Sequence, residues 1–164
     1  MKTAAAQAKL DHESRLDGDD HQSLRLWLRL LTCTNLIERA LRRRLRERFA
    51  TTLPRFDLLA QLERSPNGLT MGELSERMMV SGGNVSGIAS QLETEGLISK
   101  TPVPGNRRAY CARLTHKGRQ QFGEMARAHE EWLRELLDGL PSEETQQLME
   151  SLRSIKTELS RREV

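Results

Sequence analysis

Residues 70–100 read TMGELSERMMVSGGNVSGIASQLETEGLISK, and their spacing decides the fold. Thr70 and Glu73 stand at capping-box spacing, where a Thr oxygen and a Glu carboxylate satisfy free N–H groups at a helix start. Met71, Leu74 and Met78 then supply the apolar face of a short helix. After Val80-Ser81-Gly82-Gly83 a second helix is marked by Val85, Ile88, Ala89 and Leu92, and it ends at Gly96, a residue suited to a left-handed C-cap. Leu97 to Thr101 and Ala109 to Thr115 read as two strands. The loop between them holds Pro102, Pro104 and Gly105 with Arg107 and Arg108. Two helices around a tight turn followed by a basic hairpin form the winged helix-turn-helix pattern.

On the N-terminal side, Leu24, Trp27, Leu28, Leu31, Ile37, Leu41 and Leu45 recur at helical steps and predict a long helix over 21–49. Pro54 opens another helix, with Phe56, Leu58, Leu59 and Leu62 inward, which Ser65-Pro66-Asn67-Gly68 stops. On the C-terminal side, His116 to Leu140 is a helical pattern with Phe122, Met125, His129, Trp132 and Leu140 on one face. Beyond Pro141, Leu148, Leu152, Ile155 and Leu159 form a narrow apolar stripe suited to packing on another helix. Residues 1–20 have no apolar period and end in an acidic, turn-prone run, so a mobile arm is expected there. The whole is one domain, 21–164, of mainly α class: six helices and a small β-wing.

Composition agrees with that class. Of 164 residues, 37% are hydrophobic, 30% charged and only 4% aromatic, too polar and too poor in aromatics for a β-sandwich. No stretch approaches the ~20 apolar residues of a membrane span, nor is there a secretory core, so no membrane contact and a cytoplasmic location are expected. Cys33 and Cys111 form no disulfide framework or C-x-x-C pair, and the four histidines have no metal-ligand spacing. No catalytic triad, P-loop or dinucleotide fingerprint is present. The expectation is a protein with no metal, no cofactor and no enzymatic activity.

Charge is segregated along the chain. Residues 22–49 carry eight arginines against two glutamates, and residues 97–119 carry six basic side chains with no carboxylate. Such local positive fields attract a polyanion. The second helix of the motif carries no charge from Ser81 to Leu92 but exposes Ser81, Asn84, Ser86, Ser90 and Gln91. Asn and Gln can pair with adenine edges, and Ser can donate or accept. Gly82 and Gly83 open the helix N-terminus to phosphate, while Arg107 and Arg108 reach a phosphate or a narrow minor groove. Double-stranded DNA is therefore the expected partner.

The stretch RFDLLAQLERSPNGLTMGELSERMMVSGGNVSGIASQLETEGLISK (55–100), with NRRAYCARLTHKG (106–118), resembles the MarR family of bacterial transcriptional regulators. The resemblance implies a homodimer on a pseudo-palindromic operator with half-sites about 10 bp apart. It implies a DNA-binding winged helix over 54–115 and dimerisation helices over 21–49 and 116–162. The dimer contacts then fall to Leu24, Leu28, Leu148, Leu152, Ile155 and Leu159. Arg108 matches the family's wing arginine. The family usually has an acid two positions earlier, where this chain has Asn106, so that arginine lacks an orienting salt bridge.

GLTMGELS (68–75), MMVSGGNV (78–85) and His129-Glu130-x-Trp132 resemble the family's regulators of aromatic-acid breakdown. This implies a repressor released by an aromatic acid or its CoA thioester. A cleft between the first, second and fifth helices then has Trp27, Leu31, Asn35, Phe56, Leu59, Met125, His129 and Trp132 as candidate effector residues. Arg39, Arg42, Arg43, Arg44, Arg46 and Arg48 are compatible with a CoA phosphate tail, but equally with a solvated face or with DNA phosphates. Met125 and Trp132 also fit plain core packing, and His129 a half-buried structural role. Two other readings stay open: a redox-responsive regulator using Cys33, and a helical interaction module that does not bind DNA. Cys33 lies mid-helix without a histidine nearby, so a buried, inert thiol is expected.

Overall fold

The computed structural model describes residues 21–162, except the side chains of Arg107 and Arg108; the expected arm over 1–20 lies outside the described residues. In chain order the elements are α1 (Gln22–Phe49), α2 (Leu53–Glu63), β1 (Leu69–Thr70), α3 (Met71–Met78), α4 (Gly82–Thr94), β2 (Ile98–Val103), β3 (Asn106–Leu114), α5 (His116–Leu137) and α6 (Ser142–Arg162). Among the described residues the class is mainly helical with six helices and a small β-wing, as the spacing predicts. The described residues divide into two compact units, 21–125 and 126–162.

In the first unit, α2 buries Leu53, Phe56, Leu58, Leu59 and Leu62, and α4 buries Val85, Ala89 and Leu92. Leu74 of α3, Leu69, Ile98, Ala112 and Leu114 of the sheet, and Leu41 and Leu45 of α1 complete this core. The Phe56 and Phe122 rings lie 5.4 Å apart between centroids. The capping box forms as the sequence implies: Thr70 Oγ1 accepts from the Glu73 N–H at 3.2 Å, and a Glu73 carboxylate oxygen accepts from the Thr70 N–H at 2.8 Å. These bonds to the ionised form hold Glu73 below the ordinary carboxylate range.

Two helix ends share one motif. At the end of α4 the Leu97 N–H reaches the Leu92 carbonyl and the Gly96 N–H reaches that of Glu93, with Gly96 at φ 72°. At the end of α3 the Val80 N–H reaches Ser75 and the Met79 N–H reaches Glu76, with Met79 at φ 52°. Both are Schellman closures. A side chain at the left-handed position costs roughly 1–2 kcal/mol, so glycine is the usual occupant, and Met79 departs from it, as does the smaller Ala50 at φ 50° after α1.

The wing differs from expectation in three ways. The sheet has a third strand, β1, in the order β1-β3-β2, all antiparallel. The connection is only Pro104-Gly105, with Gly105 at φ 80° turning the chain, so Pro102 belongs to β2. Arg107 and Arg108 are therefore on β3 rather than in a loop or at the hairpin tip. The register explains why the sequence suggested otherwise. Val103 pairs with Asn106 but Pro102 with Tyr110, so the register shifts between Pro102 and Val103 and β3 bulges over 107–109.

α5 starts against the corner between α4 and β2. Thr115 Oγ1 donates to the Gly96 carbonyl at 2.7 Å and accepts from the Gly118 N–H at 3.0 Å. A Cβ on Gly118 would lie 1.9 Å from the Leu97 carbonyl oxygen, so glycine is required there. The helix ends at Leu137, three residues before the expected Leu140. Gly139 weakens its last turn, and the Leu140 N–H closes a tight turn onto the Leu137 carbonyl at 3.0 Å.

The second unit holds the rest of α5 and α6. Ala128 and Trp132 are buried. No residue of α6 is buried, and Leu148, Met149, Leu152 and Leu159 are exposed along it.

Candidate nucleic-acid interface

Helix α4 turns its residues 100° apart, which sorts them by role. Val85, Ala89 and Leu92 face the core, so Gly83, Gly87, Ser90 and Thr94 form the opposite, exposed face. Asn84 and Gln91, seven residues apart, share one flank of it, and Ser86 lies on the other. Ser81 is the N-cap in extended backbone, and its side chain makes no capping bond. The leading N–H groups at Gly82, Gly83 and Asn84 have no carbonyl one turn back, an arrangement that suits a phosphate. A Cβ at Gly82, Gly83 or Gly87 would meet no atom within 4 Å. Internal packing therefore does not explain why these positions are bare.

Much of the surrounding positive charge is engaged within the protein. Lys100 of β2 pairs with Glu93 at 2.7 Å and donates to Ser90 Oγ at 3.3 Å, which ties the wing to α4. Arg113 Nε donates to the Asn67 carbonyl at 2.8 Å, and Lys117 to that of Glu95 at 2.8 Å. Arg119 pairs with Glu63 at 3.6 Å. The second basic block is thus partly structural.

Arg55 of α2 binds the end of α4 through an ion pair with Glu95 and a 3.4 Å hydrogen bond to Gln91 Oε1. The Arg55 hydrogen bond, then its charge, holds Glu95 below the ordinary carboxylate range. A bidentate contact from Gln91 to adenine uses that same oxygen, so Arg55 and a base edge would share its two lone pairs. Nothing in sequence spacing signalled this link, since Arg55 and Glu95 lie forty residues apart.

The candidate effector residues are distributed. Leu59 and Met125 line one cavity of about 220 Å³, together with Phe49, Thr51, Arg55, Glu95, Leu97, Gln121 and Glu124. Phe56 is buried beside Phe122, while Trp27, Leu31 and Asn35 are exposed on α1. Asn35 opens on a groove along α1 with Arg39, Arg42, Arg43 and Arg46. His129 and Trp132 belong to the second unit; burial lowers the His129 pKa. Cys33 is exposed, which corrects the expected buried thiol: α1 buries only Leu41 and Leu45, near its far end. Among the described residues no group of three His, Cys, Asp or Glu side chains could hold a metal ion, and no helix is long and apolar enough to cross a membrane.

A helix pair around a tight turn, an uncharged reading face and a three-stranded wing define a winged helix-turn-helix DNA-binding protein. A family model described as MarR family matches residues 51–109. A MarR family transcriptional regulator from Silicibacter pomeroyi is 33% identical, with a TM-score of 0.75 over 87% of this chain and 99% of that one. The chain belongs to the MarR family and is a DNA-binding transcriptional regulator, not an enzyme. Among curated relatives, "Transcriptional activatory protein BadR" of Rhodopseudomonas palustris is 26% identical over 123 residues, 74% of this chain and 70% of the relative. The fold is also that of Sco3205 from Streptomyces coelicolor, solved in complex with DNA, at a TM-score of 0.73 and 24% identity over 85% of this chain and 88% of that one.

Proposed function

We propose that the chain acts as a homodimeric repressor that reads a pseudo-palindromic operator with α4 in the major groove and the wing on flanking DNA. The observation that carries this reading is the bare, uncharged face of α4. Ser81, Gly82 and Gly83 then meet phosphate, Asn84, Ser86 and Gln91 face base edges, and Arg107 and Arg108 hold flanking backbone or minor groove. Dimerisation through Leu24, Leu28, Leu148, Leu152, Ile155 and Leu159 is supported by the apolar side chains that α1 and α6 leave uncovered.

The effector reading is a small aromatic group bound between helices, with Phe56, Leu59, Met125 and the α1 residues Trp27, Leu31 and Asn35 as its surroundings; His129 and Trp132 of α5 stay candidates within their own unit. The cavity beside Leu59 and Met125 has the volume for one ring and is walled by Phe49, Leu59 and Leu97. On its lining Arg55 is paired with Glu95, which leaves the Glu124 carboxylate to disfavour a free carboxylate and favour the uncharged acyl ring of a thioester. The α1 groove, where Glu38 pairs with Arg42 and Glu47 also lines the wall, keeps a net positive charge from Arg39, Arg43 and Arg46 for the thioester's phosphates. Since Arg55 lies in this cavity and grips Gln91 and Glu95, an occupant disturbs α4 directly. Operator DNA must then weaken effector binding by the same factor.

The test is a mobility-shift titration on the DNA upstream of the protein's own gene, at two salt concentrations, with benzoate or its CoA thioester added. Salt-sensitive binding released by the thioester alone is expected; release by the acid alone would overturn the charge argument, and absence of binding would overturn the operator reading. Activation is the second reading, favoured by the name of the curated relative. Transcript levels in a deletion strain separate the two, rising for a repressor and falling for an activator.

A further inference from the structure

We propose that Met79 is a specificity-determining residue of the DNA interface, its side chain packing against thymine methyl groups at the edge of each half-site. The inference rests on the reading that α4 enters the major groove. Met79 is 93% exposed and sits at φ 52° in the turn that leads into α4. Both features work against it as a folding residue. A left-handed helix closure favours glycine, and the same closure at the end of α4 uses Gly96. An exposed methionine also gains nothing from burial.

The turn is placed where DNA would meet it. Met79 stands two residues before the N-cap of α4, and helix-turn-helix proteins bring that end of the recognition helix to the base edges. The surface around it includes Met71, Val80, Gly82 and Ser86, with the Glu76 carboxylate among them. That carboxylate disfavours phosphate beside Met79, which leaves backbone contact to the N–H groups at the start of α4, while Met71, Met79 and Val80 suit an apolar group. In the major groove the thymine C5 methyl is the apolar feature that a base edge presents. A flexible thioether side chain fits such a contact without demanding a hydrogen bond.

The experiment uses the upstream fragment that wild-type protein retards, prepared once with thymine and once with uracil, which removes the methyl groups and leaves Watson–Crick pairing intact. Affinities at fixed salt are compared for wild type, Met79→Gly and Met79→Leu, with a melting curve for each. Wild type should lose more affinity on uracil DNA than Met79→Gly does, by about fourfold per methyl in contact. Met79→Leu should keep the wild-type penalty. Met79→Gly should melt at or above wild type, about 2–4 °C higher for each kcal/mol gained. An equal uracil penalty in wild type and Met79→Gly refutes the contact, and a lower melting temperature shows that the side chain serves the fold instead. Failure of wild type to bind thymine DNA would instead refute the major-groove reading, and this inference with it.

Discussion

Gly87→Ala should raise the stability of the protein and weaken its hold on DNA. Gly87 is the sixth of thirteen residues in α4, its φ is outside the left-handed region, and a Cβ there meets no atom within 4 Å. Alanine therefore fits without displacing anything and gains about 0.5–1 kcal/mol of helix propensity. In a domain of this size that is a rise of about 1–4 °C in melting temperature. On DNA the same methyl projects from the centre of the reading face, between Gly83 and Ser90. An extra methyl in a tightly packed contact costs about 1–3 kcal/mol, or roughly five- to 150-fold in Kd. Differential scanning fluorimetry and fluorescence anisotropy on one preparation measure both quantities. Higher stability with unchanged affinity would refute placement of this face against the bases, and lower stability would show the face packed within the protein.

Four further outcomes are expected. Burial, reinforced by Glu38 and opposed by Arg42, pushes Asp57 up to about 6 from 3.8; its contribution to stability is full below 3.8 and lost as pH rises through about 6. Asp57→Asn should thus melt higher than wild type at pH 8, with a margin that shrinks towards pH 4. Arg55→Ala removes the largely buried partner of Glu95 and should cost about 1–3 kcal/mol in urea unfolding at pH 7. Because Glu95 is held below its ordinary range, that loss should diminish as pH falls through its titration; a pH-independent loss would assign it to packing alone. Arg108→Ala should weaken operator and random DNA alike and reduce the salt slope by about 1 per contact, whereas a loss confined to the operator would make it a base reader. Leu152→Asp should yield monomers in sedimentation velocity, and a persistent dimer would move the interface away from α6.

The parts of the fold legible in the sequence are those whose cause is local. Thr70 and Glu73 satisfy each other three residues apart, and Val85, Ala89 and Leu92 repeat at the helical period, so both helices of the motif could be read directly. The two-residue β1 had no period to show, and its Thr70 also caps α3. The bulge at 107–109 depends on which residues pair across β2 and β3, a property of two strands together. The candidate site divides similarly. The exposure of Asn84 and Ser86 follows from helix geometry, but the engagement of Lys100 and Arg119 with carboxylates does not, because a basic block reads alike whether its charges are free or paired. Exposed Cys33 likewise depends on what covers α1, and helical spacing alone is silent on that.

The close approach of Gly118 to the Leu97 carbonyl has a mechanical meaning. With no side chain in the gap and Thr115 bonded to both flanking segments, the junction between β2 and α5 has no room to slide. A tilt of the wing and α4 on meeting DNA is therefore expected to carry into the first turns of the helix that begins at His116. Loosening this joint by inserting flexible residues after Thr115 would leave the reading head intact and disconnect it from whatever that helix drives.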